Sequence, residues 1–473
     1  MTNPTAVRPA VRGTVPLWPF AAGSVLVTAI ILLPSGAAPG THGRIALAVF
    51  ALAVVAWVSG RLDDTFVGLA AVAVLAFAGV IKASAVFGAL GGETIWLLIA
   101  AFVLAAGLGA TGLPEKAAMA LAAKARTPRQ LAHLVTAALT GTALAVPATS
   151  GRAALALPVF VALAKALAGQ RRLVRALALL FPTVILLSAA ATLIGAGAHV
   201  ITNQLLETAT GQGIGYGQWL LLGLPFAVVS SHLAAEVVLL TATGRADRRV
   251  RLSIPHEKSA LSGGQWRALA VLALVVSLWC TESWHGLSPA LVALGGALLI
   301  TSPRLGTISL GPAFGSVPWS LLVFMASTAV LGTALAATGA AGWLAGLVLG
   351  SGGSAAGFLV AVVVLSAAAH LVLQSRSARS SVLVPLVIPL AAGFGLNPAA
   401  VAFASTVAAG FCHTLPSSAK PVALFAAVPD VPGYRGADLA RLSAVLGPLV
   451  VVLVLGFAVA VWPTLGLPLS VSD

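Results

Sequence analysis

Gln374-Ser-Arg-Ser-Ala-Arg-Ser-Ser-Val-Leu-Val-Pro385 carries two arginines, Arg376 and Arg379, between long apolar runs that hold no other formal charge. A guanidinium at membrane depth costs about 3 kcal/mol on insertion scales and is rarely idle. The stretch therefore reads as a polar tip inside hydrocarbon. An earlier stretch has a similar form: Pro147-Ala-Thr-Ser-Gly-Arg152, closing with Leu157-Pro158. The two read as halves of one anion site in a transporter.

The rest of the chain supplies the membrane. Of 473 residues, 59% are hydrophobic and 8% are charged, against about 25% charged in a soluble protein. Ala, Leu, Gly and Val dominate, which suits helices rather than the alternating strands of a barrel. The net charge of +14 is gathered in short loops, so it reads as a topology signal with some affinity for anionic lipid, not as a nucleic-acid surface. Cys280 and Cys412 are too few and too far apart for a disulfide framework or a metal site. No cofactor is expected. The first apolar run, after Arg8 and Arg12, reads as uncleaved.

In order, the expected spans are 15–33, 44–60, 65–81 and 94–112, then an amphipathic surface helix over 113–129. Two short apolar runs, 131–146 and 153–167, flank the first tip. They form a re-entrant hairpin (about 131–167), because irregular backbone at membrane depth is tolerated only where it lines protein or a water-filled cavity. A span from 176 is interrupted at Gly195-Ala-Gly-Ala-His199 and resumes at 200–206; another covers 219–240. A basic linker, 241–267, reads as cytoplasmic. The second half has spans at 266–280, 289–301 and 317–338, an uncharged segment at 340–350, and a second hairpin (about 355–392) with arms 355–373 and 380–392. A broken span over 398–428 and a last span at 442–465 follow.

Val103-Leu-Ala-Ala-Gly-Leu-Gly-Ala-Thr-Gly112 and Val330-Leu-Gly-Thr-Ala-Leu-Ala-Ala-Thr-Gly339 agree at six of ten positions, at an offset of 227. The same offset carries Ser150 onto Ser377, Arg152 onto Arg379 and Pro158 onto Pro385. Basic residues flank the first hairpin on both sides (Lys124, Arg126 and Arg129; Arg171, Arg172 and Arg175), and none flanks the second. The first hairpin therefore opens to the cytoplasm and the second to the outside. That is an inverted repeat with its site near the midplane. The expected fold is an all-α polytopic membrane protein with about 11 transmembrane helices plus two re-entrant hairpins. The first repeat is 1–240, the linker 241–267 and the second repeat 268–473. The N-terminus is cytoplasmic, the C-terminus outside, and the membrane an inner or plasma membrane.

At the tips, Ala148-Thr-Ser-Gly-Arg152 and Ser375-Arg-Ser-Ala-Arg379, the chain resembles the divalent anion:sodium symporter family, whose members carry Ser-Asn-Thr at each tip. In the dicarboxylate-exchanger branch the motif continues as Ser-Asn-Thr-Ala-Arg. The resemblance extends to the broken spans (195–203 and 415–421) and to Trp462-Pro-Thr-Leu-Gly466. It implies a homodimer, a mobile part that moves like an elevator against a scaffold, and substrate carboxylates held by both tips. It also implies that a tip asparagine and the neighbouring broken helix hold Na⁺.

The chain departs from that pattern. Thr149 still offers an oxygen in the first tip. Arg376 cannot, because guanidinium only donates and stays charged. The expectation is that Arg376 substitutes for a sodium ion, leaving anion exchange or proton coupling. Arg152 and Arg379 are expected to face each other and to clamp a dicarboxylate, citrate or sulfate. Thr149, Ser150, Ser375, Ser377, Ser417 and Ser418 would add neutral donors, with Arg376 contributing charge. Gly195, Gly197, His199, His413, Lys420 and Thr149 are the coupling-ion candidates, Na⁺ or H⁺. Blander roles are a cap or a pairing with Glu236 for Arg152, and packing for His199, His413, His370 and His232. No nucleophile, metal-binding or paired-acid motif supports an enzyme. A channel, a cation/proton antiporter and an arsenite-type exporter are the alternatives; the arginines at the crossing points favour an anion.

Overall fold

Lipid offers no hydrogen bonds, so apolar segments must satisfy their backbone internally. In the computed structural model the described residues, 39–255, 259–349 and 353–470, are helices joined by turns, with no β-strand among them. The expected first span, 15–33, lies outside the described residues. The helices of the first half are α1 (Thr41–Ser59), α2 (Asp64–Phe77), α3 (Ala83–Gly88), α4 (Glu93–Gly109), α5 (Leu113–Ala122), α6 (Pro128–Thr142), α7 (Thr149–Ala166), α8 (Arg171–Ser188), α9 (Gly197–Thr210) and α10 (Tyr216–Ala242). Those of the second half are α11 (Gly263–Cys280), α12 (Glu282–His285), α13 (Pro289–Thr301), α14 (Leu310–Gly315), α15 (Trp319–Ala337), α16 (Ala340–Leu349), α17 (Ala355–Ala368), α18 (Arg376–Gly393), α19 (Pro398–Ala408), α20 (Lys420–Ala426) and α21 (Gly436–Gly456). Seven helical segments among the described residues are long and apolar enough to cross a membrane, and α2, α13, α19 and the α17 arm are shorter apolar helices.

Element bounds recur at the sequence offset. The start of α5 falls 227 residues before that of α16, and both ends of α7 fall 227 before those of α18. Packing recurs as well: α4 lies on α13 and α15 on α2; α6 on α8 and α17 on α19; α7 on α8 and α18 on α19. Several contacts cross between halves, two of them at the hairpins. Helix α9 packs on α18, and α20 packs on α7. Each helix that follows a break is thus laid against the hairpin of the other half.

Several boundaries differ from expectation. The surface helix α5 ends at Ala122, not at residue 129. Pro128 is pre-organised for a first helical turn, and the Thr127 side chain accepts from Gln130 N at 3.2 Å, so α6 starts there. Helices α7 and α18 both begin four residues before the expected 153 and 380. Ser375 caps α18 by accepting from Ala378 N at 3.3 Å. At α7 the cap is Ala148, held at φ +62°, with its N–H donated to Ile194 O at 3.3 Å. Arg152 and Arg379 consequently project from first helical turns and are fixed in direction, rather than sitting in loops. After α8 the chain passes through 3-10 turns and resumes as α9 at Gly197, three residues earlier than expected.

Candidate functional site

A helix that stops inside a protein leaves its last carbonyls without partners, at the negative end of its dipole. Helix α8 stops at Ser188. Two arginines meet its end. Arg152 Nη1 donates to Ile185 O at 2.9 Å, and Arg376 Nη1 donates to Leu186 O at 3.3 Å. Arg152, 1% exposed, is held further by Thr142 Oγ1 at 3.0 Å, Leu139 O at 2.7 Å and Ser188 Oγ at 2.6 Å. It ties both arms of the first hairpin to α8. Its charged neighbour across the tips is Arg376. Arg152 does not pair with Glu236, which instead accepts from Arg129 and His133, both at 2.6 Å.

Arg376 extends from the second tip into the first break. Its Nη2 lies 2.9 Å from His199 Nε2, while His199 Nδ1 lies 3.0 Å from Thr192 O. A carbonyl only accepts, so Nδ1 carries the hydrogen and Nε2 offers its lone pair to the guanidinium. His199 is therefore held neutral, its ring stacked on Trp219 at 5.2 Å. Close approach explains two glycines. A Cβ on Gly410 would lie 2.8 Å from Arg376 Nη2, and one on Gly197 would lie 3.1 Å from Ser377 Oγ. The second tip, the first break and the end of α19 thus converge around Arg376. The break itself needs Gly195, where a Cβ would fall 2.1 Å from Ala189 O.

Arg379 contrasts with Arg152. It is 0% exposed, and none of Nε, Nη1 and Nη2 has a hydrogen-bond partner. Arg376 Nε and Ser380 Oγ are buried and unpaired as well. Taking a guanidinium out of water costs several kcal/mol unless an anion or acceptors compensate. His370 and His413 lie in the field of Arg379. His370 is occupied, with Ala367 O at 2.6 Å on Nδ1 and Thr414 Oγ1 at 2.8 Å on Nε2. The cluster presents donors and positive charge, which is the chemistry of anion binding.

The remaining expected residues scatter in role. Thr149, Ser375 and Ser377 are half-buried at the tips, and Ser150 is exposed. Ser381 Oγ donates to Ser377 O at 3.1 Å. In the second break Ser418 is buried, its Oγ accepting from Leu415 N at 3.1 Å, while Ser417 and Lys420 are exposed. A cavity of about 220 Å³ reaches the second tip, lined by Trp57, Asp63, Asp64, Gln374 and Ser375 among others. Asp63 is spent on capping α2 through Thr65 N and Phe66 N, whereas the Asp64 carboxylate faces Ser375 and the charge of Lys420. The one sequence signal of this acid pair is two aspartates at the start of an apolar run. No group of three metal-ligating side chains occurs among the described residues.

Known proteins agree with this architecture. A Cupriavidus necator membrane protein is 27% identical over 416 residues, covering 81% of this chain and 80% of that protein. A Synechocystis transporter is 27% identical over 196 residues, 40% of this chain and 29% of that protein. Two solved structures share the fold. The Alcanivorax borkumensis YdaH transporter matches with TM-score 0.53 at 17% identity, covering 82% of this chain and 89% of that one. Neisseria gonorrhoeae MtrF, described with a class of antimetabolite efflux pumps, matches with TM-score 0.56 at 14% identity, covering 82% and 86%. The model of the sodium:sulfate symporter transmembrane region matches residues 15–468. The chain is an integral membrane protein with a transporter fold, and it belongs to the sodium:sulfate symporter family.

Proposed function

We propose that the protein is a secondary transporter of small di- or trivalent anions (a dicarboxylate, citrate or sulfate) that does not require sodium. The observation that carries this reading is Arg379: a fully buried guanidinium in the first turn of α18 with all three nitrogens unpaired. A carboxylate or sulfate satisfies it bidentately, and charge-assisted pairs of this kind are about twice as strong as neutral hydrogen bonds. Ser380 Oγ adds an unpaired hydroxyl, and the positive end of α18 adds its dipole. Arg152, with four bonds to its own surroundings, is a positioning residue that fixes the first hairpin.

Independence from sodium rests on Arg376. A sodium ion needs oxygen ligands, and the carbonyls at a broken helix end are the usual source in transporters. Here guanidinium nitrogens take Ile185 O and Leu186 O. A fixed cation therefore stands where a mobile one would bind.

The test is counterflow in proteoliposomes. Vesicles loaded with one unlabelled anion at a time should accelerate uptake of a labelled anion of the same class, and a channel should show no such acceleration. Absence of stimulated, saturable flux for every dicarboxylate, tricarboxylate and sulfate tried would overturn the reading. Performing the assay with protein of both orientations also gives the direction of flux.

A further inference from the structure

A second titratable cluster lies away from the tips, between α6, the first arm of the first hairpin, and α10. His133 Nε2 is 2.6 Å from Glu236 Oε1, which also accepts from Arg129 Nε at 2.6 Å. His133 Nδ1 is 2.8 Å from His232 Nδ1, and the two rings stack at 5.1 Å. We propose that Glu236, His133 and His232 form the site that takes up and releases one coupling proton during anion transport. This rests on the anion-transport reading above and names its coupling ion.

Hydrogen counting fixes the capacity. A carboxylate only accepts, so His133 Nε2 carries a hydrogen. The contact between the two Nδ1 atoms needs one hydrogen and one lone pair. With both rings neutral, His133 Nδ1 supplies the lone pair and His232 Nδ1 the hydrogen. One more proton fits on His232 Nε2 without breaking a bond. A second finds no place on the rings, because it would put two hydrogens between the Nδ1 atoms. Once loaded, the pair passes charge inward through existing bonds. The His232 Nδ1 hydrogen moves to His133 Nδ1, and the His133 Nε2 hydrogen moves to Glu236 Oε1, from which it leaves. Every step transfers one proton along one hydrogen bond and leaves both rings neutral, and each ring then gives a proton to water from one nitrogen and takes one from water on the other, which restores the hydrogens on His133 Nε2 and His232 Nδ1.

Location ties this site to the moving parts of the candidate site. Thr136 and Thr140 continue from His133 at positions i+3 and i+7 of α6, on the face that meets its neighbours. Both hydroxyls are buried and unpaired. Three residues on, Ala143 O accepts from the Thr192 hydroxyl at 2.9 Å, and Thr192 O holds His199, the partner of Arg376. The polar stripe is about 15 Å long at the rise of an α-helix. Loading changes the cluster, counting Arg129, from neutral to a net single positive charge, beside the arm that carries Arg152's anchors Leu139 and Thr142.

Neighbouring charges do not compete for the two imidazoles. They are Glu115 and Lys116 on α5, Arg152 and Lys165 on α7, Arg171, Arg172 and Arg175 on α8, and Asp247, Arg248 and Arg249 on the turn packed against α6. Helices α11 and α21 add Arg267, Asp438 and Arg441 beside α10. Asp247 is held by Arg172 at 3.6 Å, and Lys116 by Ala260 O at 2.6 Å. Among the described residues none of these bonds to His133 or His232.

The experiment compares the full-length wild-type protein with His133→Gln and Glu236→Gln in proteoliposomes carrying a pH dye, using the anion that gave counterflow. Each coupled proton makes a one-unit pH gradient worth about tenfold accumulation, since one pH unit is tenfold in proton activity. Wild type should accumulate the anion against its gradient when only a pH gradient is imposed, with matching proton movement. Both variants should lose accumulation and proton movement while still exchanging anion for anion. Accumulation by His133→Gln equal to wild type overturns the proposal. So does loss of exchange together with accumulation, which marks the cluster as structural. Wild-type counterflow without any pH-driven accumulation overturns the proposal and leaves the transport reading standing, whereas no counterflow at all removes that reading first.

Discussion

Arg379→Met and Arg152→Met should shift stability in opposite directions, although both remove a buried arginine from corresponding positions of the two hairpins. Arg379 has no hydrogen-bond partner on any guanidinium nitrogen. An unpaired buried polar group costs about 1–3 kcal/mol and a charged one more, so an apolar side chain of similar length should stabilise the anion-free protein by about 2 kcal/mol or more. Arg152 makes four hydrogen bonds of 2.6 to 3.0 Å. Its loss removes the arginine donor from Ile185 O at a helix end and leaves Leu139 O with the Thr142 hydroxyl, which should cost about 1–3 kcal/mol. The assay is thermal unfolding in detergent, with and without a panel of divalent anions. Wild type should be stabilised by its anion, by about 2.7 kcal/mol at a concentration one hundred times Kd. Arg379→Met should melt higher than wild type without anion and show no response to it. Arg152→Met should melt lower. If Arg379→Met melts below wild type in the absence of anion, its guanidinium has a structural partner and the binding role fails.

Arg379→Lys keeps the charge but loses the planar fork, so affinity should fall about tenfold or more in titration with the transported anion, reflecting one lost charge-assisted bond of roughly 1.5–3 kcal/mol. Arg376→Asn removes the fixed cation from Leu186 O and His199 and supplies an oxygen; transport by this variant should become faster with sodium, and indifference to sodium would show that Arg376 does not stand in for an ion. Gly410→Ala places a methyl 2.8 Å from Arg376 Nη2, and should weaken anion flux without abolishing expression. Gly223→Ala brings a Cβ to 2.0 Å from Ala190 O, a backbone clash that should cost about 1–3 kcal/mol or more in the same unfolding assay; an unchanged midpoint would mean that α10 does not pack closely on the turn after α8.

Much of the fold was legible because its signals are long-range in composition and strict in spacing. Apolar length marks spans, and a fixed offset of 227 survives in the starts of α5 and α16 and in the bounds of α7 and α18. Arginines in apolar sequence marked the tips. What sequence did not show was direction. Arg152 and Arg379 are equivalent by offset, but one turns to helix-end carbonyls and the other finds none. That difference arises from where α8 ends relative to each tip, which depends on the packing of both halves. The His133–His232–Glu236 cluster was invisible for a related reason. His133 lies 99 and 103 residues from His232 and Glu236, and no motif links it to them. Asp64 was hidden by its ordinary look as an acidic residue in a helix's first turn, a role that its neighbour Asp63, as N-cap, fills through backbone bonds.

The measurement that bears most directly on the account is initial uptake of a labelled divalent anion into proteoliposomes, with external sodium replaced stepwise by choline. Saturable uptake that persists at full rate without sodium, and that disappears in Arg379→Met, is the expected result. Uptake that vanishes without sodium, and rises with a Hill coefficient near two as sodium is restored, would contradict the assignment of Arg376 as a built-in cation and with it the central claim.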